Sequence, residues 1–202
     1  MKIGILGGAF DPPHIGHLIV ATQIKEYLDL DEIWLMPMYS HPFSKSLSPA
    51  SHRLAMTKLC ETEVIKASDF ELKKGTTSYT IETLELLKQR CPENQFYWCI
   101  GSDMLKDFQK WRRWKELMAH HNLVIYPRGT GVIDLVPHVS QAFDTHPLPS
   151  HIYPVAHKDV VITNISSTLV RGRLAEGLAI DYIVPKAVIE YIQKHTLYRH
   201  HE

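Results

Sequence analysis

The sequence predicts an α/β fold built on a parallel sheet, and three observations carry that prediction. Short apolar runs rich in β-branched and aromatic residues alternate along the chain with segments of helical period, the pattern of strands joined by crossover helices. A chain of 202 residues is long enough for one substantial core without disulfide or metal staples. No internal repeat, low-complexity tract or linker interrupts the alternation, so a single domain over 1–202 is expected.

The elements follow in order. KIGIL (2–6) reads as a buried first strand, and His14 to Leu28 as an amphipathic helix whose apolar face includes Leu18, Ile19, Ala21 and Ile24. EIWLMP (32–37) is a second strand stopped by Pro37. SPASHRLAMTKLCE (48–61) is a helix with a Ser-Pro start, and VIKAS (64–68) a short strand. SYTIETLELLKQRC (78–91) is the next helix, ended by Pro92. QFYWCI (95–100) is apolar enough throughout to be a central strand buried on both faces.

A short helix from Ser102, a second through RRWKELMAHH, and the strand NLVIYP (122–127) come next. Residues 128–157 carry two glycines, four prolines and no dependable period, which predicts a loop-rich excursion with one short helix. VVITNI (160–165) resumes the strand pattern. SSTLVRGRLAEG (166–177) is a helix closed by Gly177, and PKAVIEYIQKH (185–195) is the last helix, with Pro185 at a permitted first-turn position.

Charge narrows the partners. The chain has 22 Lys+Arg against 22 Asp+Glu, which argues against a general nucleic-acid binder while allowing a local anion site. It begins directly with a strand pattern, and it holds no apolar run long enough to span a bilayer. Its three cysteines, Cys60, Cys91 and Cys99, have no metal-ligand spacing and read as inert thiols in a reducing compartment. A cytoplasmic protein with neither nucleic-acid nor membrane partner is expected.

Two constellations carry chemistry. In GGAFDPPHIGH, a glycine turn leads from the first strand into a helix N-terminus, where unpaired N–H groups and a partial positive charge suit phosphate. Gly7, Gly8 and Gly16 let backbone approach a ligand. His14 and His17, three apart, share a side and can donate to phosphate oxygens. Two histidines also raise zinc, but a third ligand is missing at any usual spacing, so no metal ligands are assigned. Neither a dinucleotide fingerprint nor a P-loop is present. In ISSTLVR, Ile165, Ser166, Ser167 and Thr168 open a helix, with Arg171 one turn on. Alone this is also an ordinary capped helix with a surface arginine.

The pair GGAFDPPHIGH and ISSTLVR resembles the nucleotidylyltransferase superfamily signature. SYT at 78–80, IGSDM (100–104), KW (110–111) and the ending EYIQKHTLYR are similar to the bacterial nicotinate or nicotinamide mononucleotide adenylyltransferases. The resemblance covers nearly the whole chain. It implies a Rossmann-like doubly wound parallel sheet with helices on both faces, and AMP transfer from ATP to the mononucleotide's 5′-phosphate in NAD biosynthesis.

By position, the resemblance implies that Gly8, Ala9 and Phe10 face the ATP phosphates through their backbone, beside Gly7. His14 and His17 bind the triphosphate, and Ser166, Ser167, Thr168 and Arg171 hold it from the opposite side. Asp103 touches a ribose or the acceptor, and Trp111 stacks on the pyridine ring beside the backbone at Thr80 and Arg112. The family's PPHK stretch is replaced here by HPFSK, where Lys45 takes the lysine role, and YPRG (126–129) replaces RPG.

No serine or cysteine in these motifs has a base beside it, so no covalent intermediate is expected. The acceptor phosphate attacks the α-phosphate, His14, His17, Lys45 and Arg171 donate, and Mg²⁺ neutralises the departing pyrophosphate. Open alternatives are another phosphate-ester acceptor such as phosphopantetheine, cytidylyl transfer, and a non-catalytic nucleotide-binding regulator. The sequence leaves nicotinate against nicotinamide open, and oligomeric state too, a homo-oligomer included.

Overall fold

The computed structural model describes residues 1–40, 47–129 and 134–198. Lys45 lies outside them.

Six strands form one parallel sheet: β1 (Lys2–Gly8), β2 (Glu32–Pro37), β3 (Ile65–Ala67), β4 (Gln95–Gly101), β5 (Asn122–Tyr126) and β6 (Ile152–Pro154). Their order is β3-β2-β1-β4-β5-β6, the doubly wound arrangement. The apolar strands alternate between two cores. Ile3, Ile5, Phe96, Trp98, Ile100, Leu123 and Ile125 pack on one face, and Leu6, Tyr97, Cys99 and Val124 on the other. This is the period of two expected of a pleated strand with helices on both sides.

Helix α1 (Ile15–Leu28) buries Ala21 and Ile24 in the second of these cores, together with Met56 of α2 (Ala50–Lys58). After α3 (Phe70–Lys74), helix α4 (Thr80–Arg90) covers the opposite face through Ile81, Leu84 and Leu87. A 3-10 helix (Ser102–Lys110), α5 (Trp114–His120) and α6 (Leu135–Phe143) join it there. Helices α7 (Ser167–Ala175) and α8 (Lys186–Lys194) return to the α1 side through Val170, Val188 and Ile192. Gly177 follows α7 with φ 70, the left-handed conformation that closes a helix without a Cβ penalty.

One strand expectation is overturned. VVITNI (160–165) is irregular backbone, and the sheet edge beside β5 is taken by Ile152–Pro154, inside the stretch read as loop. The physical reason is where the apolar side chains go. Val161 and Ile162 stay 55% and 44% exposed, lining a cleft instead of a sheet face. The short helix α3 also goes beyond the sequence reading; its buried Glu71 carboxylate accepts a hydrogen bond from the Thr83 hydroxyl at 2.7 Å.

Cys60 and Cys99 are buried and all three thiols are free; burial pushes Cys60 and Cys99 up to about 12, so neither is a thiolate at neutral pH. Among the described residues no helix is long and apolar enough to cross a membrane. Because β1 is followed by β2 on one side and β4 adjoins it on the other, a crevice opens at their carboxyl ends.

Candidate active site

The loop leaving β1 builds the first wall. At Gly7 a Cβ would lie 2.8 Å from the Trp98 ring, so the missing side chain is required by packing across the sheet. A Cβ at Gly8 would meet the Phe10 ring at 3.3 Å. Phe10 is buried and holds a left-handed backbone, φ 49, uncommon for a bulky residue. The turn it makes carries Asp11, Pro12 and Pro13 to the start of α1.

His14 is the N-cap of α1. Its backbone N–H donates to Nδ1 of His17 at 3.2 Å, and the two rings stack with centroids 3.7 Å apart. With Nδ1 accepting, a neutral His17 carries its proton on Nε2. His14 itself is 3% exposed, and neither of its ring nitrogens has a partner. A buried polar group left unpaired costs about 1–3 kcal/mol, so these nitrogens mark a place where a ligand gains. Burial and, after it, the Arg128 charge push His14 down to about 4. Burial, then His14 and Arg128, hold His17 well below its ordinary range. At neutral pH both rings are therefore neutral.

The N-terminus of α7 is locked against this loop. Ser166 caps the helix by accepting from Leu169 N–H at 3.1 Å, and the Ser167 hydroxyl donates to Pro12 O at 2.8 Å. Arg171 donates through Nη1 to Asp11 O at 2.7 Å and through Nη2 to Thr168 Oγ1 at 3.4 Å. These hydroxyls are thus engaged by the fold. What α7 offers a ligand is the backbone N–H groups of Ser167 and Thr168, which have no intrahelical acceptors.

Between the two N-termini lies a cleft of about 410 Å³ lined by His14, Gly16, His17, Tyr126, Arg128, Ile162, Thr163 and Ile165 among others. A Cβ at Gly16 would sit 3.0 Å from both His14 Nδ1 and Thr163 Oγ1 and close its floor. Gln23 of α1 pins the far wall by a reciprocal pair, Nε2 to Val161 O at 3.1 Å and Val161 N–H to Oε1 at 2.6 Å.

Arg128 was missed by the sequence reading, which saw only a departure at YPRG. Its N–H donates to Ser102 Oγ at 3.0 Å and its carbonyl accepts from that hydroxyl at 3.3 Å, joining the exits of β4 and β5. Its guanidinium faces Asp103 at 3.8 Å. The available signal was an arginine just beyond the carboxyl end of an apolar strand.

A second wall stands beyond β4. Trp111 packs on Phe108 with centroids 5.3 Å apart. Arg112 pairs with Glu82 at 3.0 Å and lies over the Tyr79 ring at 4.8 Å, bringing the Trp111 turn to Thr80 at the start of α4. The Ser78 hydroxyl there is buried with no partner. Ala9 turns its carbonyl away from the cleft, to the buried Arg53, at 2.9 Å. Tyr39 O accepts from Arg53 Nη2 at 3.0 Å, and Ser48 N–H donates to Asp11 Oδ2 at 3.0 Å.

Known proteins with this arrangement can now be compared. The cytidylyltransferase-like family pattern matches residues 5–173. A Shewanella pealeana protein named "Probable nicotinate-nucleotide adenylyltransferase" is 36% identical over 98% of this chain and 96% of its own. One of the same name from Bacillus licheniformis is 37% identical over 98% of each. The chain belongs to the nicotinate-nucleotide adenylyltransferase family. The solved Plasmodium falciparum nicotinic acid mononucleotide adenylyltransferase complexed with NaAD superposes with a TM-score of 0.77 at 25% identity, covering 98% of this chain and 97% of that one. For an adenylyltransferase of this family, the cleft at the β1–β4 switch point is the candidate active site.

Proposed function

We propose that this enzyme transfers AMP from ATP to the 5′-phosphate of nicotinate mononucleotide, releasing pyrophosphate and forming the dinucleotide. One observation carries the reading: two helix N-termini, far apart in sequence, are locked together around a buried histidine whose ring nitrogens have no partner. Such an arrangement fits a polyphosphate. The substrate named for the relatives supplies the acceptor.

An acceptor phosphate oxygen attacks the α-phosphorus, and the bond to the bridging oxygen breaks as pyrophosphate leaves. The chain contributes position and charge stabilisation. His17 donates through Nε2, His14 through whichever nitrogen carries its proton, and the first-turn N–H groups of α7 complete the cradle. Gly8, Ala9, Phe10 and Ile165 shape it, and Arg171 with Lys45 and Arg128 supplies the cationic charge that neutral histidines do not. On the acceptor side, Trp111 stacks on the pyridine ring, Asp103 holds a ribose, and the backbone at Thr80 and Arg112 faces the ring substituent.

A divalent cation such as Mg²⁺, bound with ATP, would supply charge neutralisation at the pyrophosphate. Among the described residues no three His, Cys, Asp or Glu side chains gather to hold a metal.

The test is product analysis with Mg·ATP and each acceptor. Nicotinate mononucleotide should yield dinucleotide and equimolar pyrophosphate, faster than nicotinamide mononucleotide. Turnover of phosphopantetheine alone, preference for CTP, or nucleotide binding without pyrophosphate release would overturn the reading.

A further inference from the structure

We propose that the turn after α8 is a latch for the phosphate site, with Tyr198 as a positioning residue acting through Asp11. Beyond α8 the chain is bent back by two left-handed residues, Thr196 (φ 52) and Tyr198 (φ 63), with Leu197 packed against the core and its N–H on Ile192 O at 3.1 Å. This brings the Tyr198 hydroxyl to Asp11 Oδ1 at 2.6 Å. A hydroxyl donating to a carboxylate at that distance is a charge-assisted bond, the stronger kind.

Asp11 is where the phosphate loop is tied to the rest of the molecule. It is 2% exposed. One carboxylate oxygen takes Tyr198, the other takes Ser48 N–H, and its carbonyl takes Arg171. The fully buried Arg53 holds the same corner through the carbonyls of Ala9, Tyr39 and Ser48, each at 2.9–3.0 Å. Tyr198 does not line the cleft; its hydroxyl lies on Asp11, with Met56 Sδ and the Ser48 side chain beside it. Its effect on the reaction therefore runs through the placement of residues 11–14 and Arg171. Burial and Asp11 hold the phenol well above its ordinary range, so it stays a donor.

The latch rests on the reading of this clamp as the triphosphate site, and the test separates the two. Mg·ATP binding to the full chain is measured by calorimetry without acceptor, alongside KM for each substrate. Tyr198→Phe keeps the ring and removes only the hydroxyl. Its ATP Kd should rise about tenfold, with KM for the mononucleotide within about twofold of wild type. Combined with Arg171→Ala, the loss should be less than additive, since both variants release Asp11.

ATP affinity unchanged in Tyr198→Phe, equal rises in both KM values, or full additivity with Arg171→Ala would each overturn the latch. Should Tyr198→Phe fail to fold, Asp11→Asn keeps the side chain's shape and removes the charge that makes the Tyr198 bond a strong one. Its ATP Kd should also rise about tenfold with the mononucleotide KM within about twofold, and an unchanged Kd refutes the proposal. A wild-type chain that binds no ATP at all overturns the proposed function, and the latch with it.

Discussion

The two walls of the cleft are built by different physics. On the phosphate side, residues 10–17 and 165–171 meet through short backbone and charge-assisted hydrogen bonds around buried groups, with both histidines held neutral. On the acceptor side, Ser78–Glu85 and Asp103–Arg113 meet through Arg112 lying over the Tyr79 ring and through solvent-facing ion pairs, among them Arg112–Glu82 and Arg113–Glu85. The first wall resists rearrangement because a shift there would break the bonds gathered on the buried Asp11. The second adjusts cheaply, since exposed ion pairs contribute about 0–1 kcal/mol each. In the reaction proposed above, the phosphates would meet the stiff wall and the acceptor ring the compliant one.

Perturbing each wall should break that contrast in a graded way. The largest effect belongs to His17→Ala, which removes a half-buried donor: kcat should fall about 10²- to 10³-fold, by steady-state pyrophosphate release, with KM for the mononucleotide nearly unchanged. Next comes Trp111→Ala, which removes a stacking surface. KM for the acceptor should rise roughly tenfold while the ATP Kd stays within about twofold, a split opposite to that of a phosphate-wall variant.

A third outcome concerns pH. Unfolded histidine titrates near 6.5, whereas folded His14 is held down to about 4. Below 6.5 the unfolded chain takes up a proton that the folded chain refuses, so this contribution is complete above 6.5 and is lost as pH falls towards 4. Between about pH 7.5 and about pH 5 the melting temperature of the ligand-free wild type should drop by about 5 °C more than that of His14→Gln. Equal slopes would show that His14 is not the group responsible. The smallest effect is that of Glu82→Gln, with a melting shift of no more than about 2 °C by calorimetry and an acceptor KM within about twofold.

Much of the phosphate wall was legible before any coordinates, because helix starts announce themselves. Ser166 caps α7, His14 caps α1, and glycines mark where backbone must come close. Trp111 and Asp103 could be singled out only through the family resemblance, since a tryptophan or an acidic residue after a strand has many ordinary uses. VVITNI was misread because an apolar run serves a cleft wall as well as a strand. Arg128 escaped because its role depends on Ser102, which belongs to another strand exit.

Legible in the residues alone are local properties: period, capping, the alternation of strands and helices, and two motifs with phosphate-binding chemistry. Tertiary structure alone decided which groups are dry, which charges face each other, and which loops are tied together. Tyr198 on Asp11, Arg171 on the same residue's carbonyl, and the unpartnered ring of His14 all join positions remote in the chain. Desolvation and hydrogen-bond geometry depend on distance in space, and a linear pattern encodes that only after the sheet has brought its carboxyl ends together.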